Sequence, residues 1–338
     1  MIFPRQDAVY QNLNTSFTNF GELLVDLKEN SFTGCVEVSY WEYAGTLLLD
    51  SGNIVNALEE IDDSVISGQD AVKRVTSKAK EKDGAVSVYA LKGEMITMLA
   101  SVVKSQVVYE NLSTEFTSLE ALITKLQNEE HTGFIKVSFL EKQQSGYIFL
   151  LTGKVIESIL SVGGDEISGQ RVLPRIIELA SSSGATFSVY KSAVEEALSE
   201  SEVIMVSFNL PQLLEVWGAV IGAVESAADD LLSRGIFLNT FKDTLIAKAD
   251  EYPFLDPFAA IFLYQDGIVS FNGEVKKNFS QGVGECLYGT IVTLAEQAAL
   301  EGKDLFGSLR TAVNSVKTDY SEQIDLFNFN ALLPDIFE

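Results

Sequence analysis

The sequence predicts an α+β chain: two repeated small units, each an antiparallel sheet with helices, followed by a helix-rich domain with one β-hairpin. Three observations carry this. Residues 9–18 (VYQNLNTSFT) read against residues 108–117 (VYENLSTEFT), so the first two thirds are an internal duplication. Within each copy, glycines punctuate short runs of alternating apolar residues, the period of strands packed on one face. Beyond Pro211 the apolar period becomes mainly helical. The register of the copies is 99 residues at Thr33-Gly34 and Thr132-Gly133, and 101 from Gly45 and Gly146 onward. Gln143-Gln144 lengthen a turn of the second copy, where extra residues are well tolerated. These marks set domains at 1–104, 105–208 and 209–338.

Taken in order, residues 8–13 form a β-prone edge strand. Phe20, Leu23, Leu24 and Leu27 then recur at helical spacing behind Thr18 or Asn19, either able to cap free N–H groups. The second copy has Leu119, Leu122, Ile123 and Leu126 behind Thr117 or Ser118. Residues 32–40 alternate as a strand, and Gly34 is expected to take a backbone conformation that a β-carbon would strain. Residues 45–50 and 54–58 add two strands joined through Gly52-Asn53, giving a three-stranded meander. Gly68 opens a helix carrying Ala71, Val72, Val75 and Ala79 on one face, and Gly84 leads into a closing strand. Gly153, Gly169 and Gly184 mark the same points in the copy. Residues 95–103 form an exit helix, matched by 193–198. Residues 203–208 (VIMVSF) then fall where the first strand of a third unit would begin.

In the last domain, Leu213, Leu214, Trp217, Val220, Ile221 and Val224 make a wide apolar stripe. A second helix must stop near Tyr252-Pro253, because proline cannot donate to the ladder and restricts the residue before it. Residues 259–273 read as a hairpin turning at Asp266-Gly267. Helices return at 279–300 and 305–316, with an amphipathic piece at 324–337.

The composition excludes several classes of function. With 46% apolar and 10% aromatic residues, this is a folding chain and not a disordered acidic one. The net charge of -24, from 24 basic and 48 acidic side chains, repels phosphate backbones and anionic lipid heads, so neither nucleic acid nor a membrane is an expected partner. No run approaches the ~18 apolar residues of a membrane span, and the opening residues lack the apolar core of a signal peptide. Cys35 and Cys286 sit apart among apolar neighbours, as small core residues. The expected address is the cytoplasm.

The order helix, Thr-Gly, strand, Gly, strand, Gly-Asn/Lys-Ile/Val, Gly-Gln, helix, Gly, strand resembles the PATAN family, in tandem. It rests on Leu23, Leu27, Thr33-Gly34, Gly52-Asn53, Gly68 and Gly84, and on Leu122, Leu126, Thr132-Gly133, Gly153-Lys154, Gly169 and Gly184. The resemblance implies a bacterial signalling module without enzymatic activity, acting through contacts with other signalling proteins.

No candidate site in the sequence carries a catalytic pattern. His131, the one histidine, replaces Phe32 of the first copy and lacks the partners of a triad or a metal cluster, which favours a structural or loop role. Glu59, Glu60, Asp62 and Asp63 lack the ligand spacing of a calcium loop and read as a solvated loop. Gly282-Val283-Gly284 lacks the lysine and hydroxyl of a phosphate cradle and reads as close helix packing. Residues 250–258 make a rigid apolar loop, either a plug sealing the domain core or a ligand or partner groove formed by Tyr252, Phe254, Asp256 and Phe258 with Tyr264 and Tyr288. No cofactor or metal is expected. The expectation is thus a non-catalytic regulatory scaffold, with a homodimer as a candidate assembly, and its alternative is a small-molecule sensor whose pocket lies in the C-terminal domain.

Overall fold

The computed structural model describes residues 4–5, 7–61, 64–139, 144–163, 165–169 and 171–337. It divides into two compact units, residues 1–205 and 206–338. Sequence and structure agree on the class: two six-stranded antiparallel sheets in tandem, then a helix-rich region.

In the first copy the elements run β1 (Asp7–Asn14), α1 (Phe20–Glu29), β2 (Gly34–Tyr40), β3 (Tyr43–Asp50), β4 (Asn53–Ile61), β5 (Ser64–Ser67), α2 (Gln69–Lys78), β6 (Ala85–Ala90) and α3 (Gly93–Ser101). The second repeats them as β7 (Gln106–Ser113), α4 (Leu119–Asn128), β8 (Gly133–Phe139), β9 (Gln144–Leu151), β10 (Lys154–Val162), β11 (Asp165–Ser168), α5 (Val172–Ser183), β12 (Ala185–Lys191) and α6 (Val194–Phe208). The first sheet is ordered β1-β6-β2-β3-β4-β5, and the second has the same order in its own strands, β7-β12-β8-β9-β10-β11. Both helix starts use a side-chain cap: Asn19 accepts from the Glu22 N–H and Ser118 from the Ala121 N–H.

The twice-occurring Thr-Gly pair joins three parts of each sheet. The Thr33 hydroxyl accepts from the Ser51 N–H at 3.0 Å, and the Thr132 hydroxyl from the Thr152 N–H at 2.9 Å, which fixes the turn after β3 and after β9. Their carbonyls accept from Leu91 and Ser192, just past β6 and β12. Gly34 serves close approach and not a strained backbone, contrary to the sequence expectation: a β-carbon on it would overlap the Tyr89 carbonyl oxygen, and one on Gly133 would overlap that of Tyr190. Gly52 and Gly153, at φ of 79° and 75°, are the positions where the turn itself demands a left-handed residue.

Two other expectations change. The short strands β5 and β11 went unread, because four residues leading into a glycine carry almost no periodic signal. Residues 203–208 are the continuation of α6 and not a strand. No glycine or proline interrupts them, and the helix buries Ile204 in the core of the first copy.

Each sheet packs one face on its own two helices. The first core gathers Val36, Val38, Leu47, Leu49, Val86 and Val88 under α1 and α2, and the second gathers Ile135, Val137, Ile148, Leu150, Phe187 and Val189 under α4 and α5. The opposite faces share a third core with α3, which touches strands of both sheets. That contact explains why Met95, Ile96, Met98, Leu99 and Ala100 are all buried, leaving α3 only a narrow polar side at Glu94 and Thr97.

The C-terminal unit holds α7 (Leu210–Leu231), α8 (Ile236–Lys248), the hairpin β13 (Phe262–Gln265) and β14 (Ile268–Phe271), α9 (Phe279–Leu300), α10 (Leu305–Asp319), α11 (Ser321–Leu326), α12 (Phe329–Leu332) and α13 (Pro334–Phe337). Asp266 and Gly267 both take positive φ, the turn that matches strand twist. Gly218 of α7 lets that turn approach, since a β-carbon there would stand 2.5 Å from the Gly267 carbonyl oxygen. Trp217 is wholly buried, its ring 4.5 Å from that of Phe329. Among the described residues no single helix is long and apolar enough to cross a membrane.

Candidate functional site

Within residues 1–205 the faces turned away from the cores of the two copies leave a groove of about 400 Å³. One wall is the outer face of the second sheet, with Phe134 and Lys136 on β8, Tyr147 and Phe149 on β9, and Tyr190 on β12. The other wall brings Glu60 of β4, Val65 of β5, and Leu99 and Val102 at the end of α3. Strand pairing builds the aromatic wall: Tyr190, Phe134 and Phe149 are directly opposed across three strands, and Ser188, Lys136 and Tyr147 form the next row. Phe134 stacks on Tyr190 with centroids 4.5 Å apart and planes 7° from parallel, and lies 6.0 Å from Phe149. Burial first, then the charges of Tyr190, Glu166 and Glu60, hold the Tyr147 hydroxyl above its ordinary pKa, so it stays a neutral hydrogen-bond donor. Lys136 is exposed at the rim and makes no ion pair with any described residue.

The first copy presents the same lattice with other side chains. Tyr89, Cys35 and Leu48 form one row, and Ser87, Glu37 and Thr46 the next. Here the chain fills the space itself: Arg5 donates to Glu37 at 2.6 Å and, across to the second sheet, to Glu166 of β11 at 3.1 Å. Burial opposes the Arg5 charge, but the hydrogen bond to Glu37 and the fields of both carboxylates outweigh it and raise the guanidinium pKa. Burial also keeps the Glu166 carboxyl above its ordinary range despite Arg5. The Cys35 thiol beneath them is pushed up to about 12, chiefly by burial.

The residues singled out from sequence take other places. Tyr252 is buried and Phe254 half-buried; they pack edge to face at 6.1 Å, and Phe254 stacks on Phe279 at 5.4 Å. Asp256 accepts from the Phe258 N–H, and Phe258 points outward, 86% exposed. Tyr264 donates to Glu225 and meets the edge of Phe241, while Tyr288 donates to Asp335 at 2.7 Å. Tyr252 and Phe254 are thus brought together, whereas Phe258, Tyr264 and Tyr288 each find a different neighbour. Gly282 and Gly284 lie inside α9, against the Tyr252 and Phe254 rings and against Leu332. The His131 Nε2 donates to the Tyr190 backbone oxygen at 3.0 Å, which requires that nitrogen to carry the proton.

Glu59 and Glu60 of the acidic cluster belong to strand β4 and not to a loop. Glu59 is 3% exposed in β4, with Arg74 at 3.5 Å, and Glu60 stands at the groove. Asp62 and Asp63 lie outside the described residues. Among the remaining glycines, Gly68 and Gly169 have a side chain fixing their N–H, that of Asn56 at 2.9 Å and that of Glu157 at 2.6 Å. Gly84 leaves room for the Tyr40 ring, and Gly184 ends α5 at φ 72°. The groove was missed because its walls come from six separate elements. Its one local signal is that alternate positions of the second copy turn aromatic where the first has Cys35, Thr46 and Leu48.

No curated protein and no solved structure matches the chain. A family described as "Uncharacterized protein conserved in archaea (DUF2226)" matches residues 1–103 and again residues 101–201. PATAN does not match, which overturns that resemblance together with the bacterial origin it implied. The shared glycines and turn residues reflect what a helix-and-meander sheet demands of any chain, and they do not identify a family. With each copy covered by its own match, the chain belongs to the uncharacterized archaeal-conserved family DUF2226, present twice in tandem.

Proposed function

We propose that this protein is a non-catalytic, cytoplasmic regulatory binding module whose two copies form one ligand groove between them. The observation that carries this reading is the groove of about 400 Å³ with an aromatic wall facing an aliphatic one. That volume is in the range of small-molecule sites, which are mostly apolar with a few placed polar groups. Here the polar groups are Lys136, Glu60 and the Tyr147 hydroxyl. Relative to the sensor reading of the sequence, the pocket moves from the C-terminal domain to the repeats. The test is titration of the full chain with the neutral dye N-phenylnaphthylamine, followed by its fluorescence. One saturable site is expected, lost in Val65→Trp, which fills the groove from a short edge strand. Absence of binding to the native chain, or undiminished binding to Val65→Trp, would sink the reading.

A role in protein contacts is favoured by a separate observation. Phe17 and Phe116, equivalent in the two copies, are 92% and 89% exposed. Matching turns hold them there, with the Phe17 N–H on the Asn14 carbonyl and the Phe116 N–H on the Ser113 carbonyl, both at 3.0 Å. Exposed aromatic anchors of this kind are typical of contact surfaces, and we assign them to self-association. Sedimentation should show an oligomer that Phe17→Ser with Phe116→Ser dissociates; an unchanged sedimentation coefficient removes this role.

A further inference from the structure

Resting on the groove reading, we infer the chemical class of its ligand: a flat aromatic molecule carrying one anionic group, seated with that group on Lys136. The inference comes from the two outer faces being the same lattice with one charge reversed. Glu37 in the first copy and Lys136 in the second occupy the same point, each flanked by a serine on one side strand and by Thr46 or Tyr147 on the other. In the first copy that point is occupied: the carboxylate of Glu37 receives the cationic head of Arg5 while Glu166 receives it from the other sheet. In the second copy the sign is inverted, and Val65 stands at the position that corresponds to Glu166. The side chain corresponding to Arg5 is Lys104, which turns to Glu200 at 2.9 Å and leaves the space open. The filled groove therefore shows what its twin is shaped to accept, with the charge exchanged: an anion where Arg5 supplies a cation.

The body of the ligand follows from the walls. Phe134, Tyr147, Phe149 and Tyr190 give a broad ring surface, where the first copy has Cys35, Thr46, Leu48 and Tyr89. A planar π-system fits against such rings and under Val65 and Val102 better than a bulky aliphatic one. Lys136 is the cation among the described lining residues, which matches a ligand with a single anionic group. The net charge of -24 makes anion capture depend on this local cation and not on the general field of the protein.

Two dyes with the same aromatic body separate this inference from the reading beneath it. Anilinonaphthalene sulfonate carries one anionic group, and N-phenylnaphthylamine carries none. In the native full chain the sulfonate should bind about tenfold more tightly at low salt, as a charge-assisted hydrogen bond allows. Lys136→Gln should abolish that advantage, and Lys136→Glu should invert it. Lys136 is exposed on its strand, so both variants keep the core intact. Equal binding of both dyes to the native chain, or a sulfonate preference that survives Lys136→Gln, overturns the anion assignment and leaves the groove standing. If neither dye binds the native chain, the groove reading fails, and this inference fails with it.

Discussion

On the faces packed against their own helices, the two sheets match position for position. Val36 and Val38 stand where Ile135 and Val137 do, Leu47 and Leu49 where Ile148 and Leu150 do, and Leu27 where Leu126 does. On the faces turned toward each other the same strands, in the same register, carry Cys35 against Phe134, Thr46 against Tyr147, Leu48 against Phe149 and Glu37 against Lys136. The inner side has one requirement, apolar volume at close packing, and both copies meet it with interchangeable aliphatic residues. On the outer side the row through Cys35 or Phe134 joins the third core, and the next row, through Glu37 or Lys136, has no such single requirement. There one copy accepts the chain's own Arg5 and the other leaves a groove, on strands in matching register.

The largest effect should come from the glycine both copies share. Gly34→Val and Gly133→Val each place side-chain atoms against a neighbouring strand carbonyl, and each should cost about 4 kcal/mol or more, the range of severe single substitutions. Urea unfolding followed by circular dichroism measures it, and tolerance in one copy alone would break the equivalence. Next come Leu27→Ala and Leu126→Ala, 3% and 0% exposed, each expected to lose about 2–5 kcal/mol. Values from the same unfolding experiment that differ by more than about 2 kcal/mol, outside the usual context spread, would show that the inner faces are less alike than their side chains suggest.

A chemical probe sharpens the contrast of the outer faces. Cys35 is buried with its thiol pushed up to about 12, so Ellman's reagent should not modify it in the folded chain. Phe134→Cys puts a thiol on the same lattice point beside the open groove, and it should react about a hundredfold faster than Cys35. Comparable rates would mean that the groove is closed.

The smallest effect is expected at Arg5. It is partly exposed, so solvent screening limits Arg5→Ala to about 1 kcal/mol or less. The pH dependence has a definite sign. Burial holds the Glu166 carboxyl above its ordinary range in the folded state, so that group favours folding less as the pH rises through the window above its ordinary value. Arg5 opposes that shift. Its removal raises the Glu166 carboxyl further, and the deficit of the variant should be absent at about pH 3 and full at about pH 7. Thermal unfolding across this range, with a deficit that shrinks on raising the pH, would contradict the pairing of Arg5 with these carboxylates.

Much of the fold was legible because its signals are local. Asn19 and Ser118 announce helix starts through a hydrogen bond three residues long, and Asp266-Gly267 announces a hairpin through its own dihedral angles. Glu59 was misread because its environment is set by Arg74 on another element, which no stretch of neighbouring residues reveals. The groove was illegible for the same reason: Glu60 and Val65 meet Phe134 and Tyr190 only once the two sheets face one another. Residues 203–208 had strand-like composition, and the buried place of Ile204 in the neighbouring copy decided for helix.

That last helix also marks where the two copies part company. After α3 the backbone extends into β7 and starts a new sheet, whereas after the matching part of α6 it keeps coiling through the very residues that would have seeded another. A third copy joined at that point would require the coil to be unwound first.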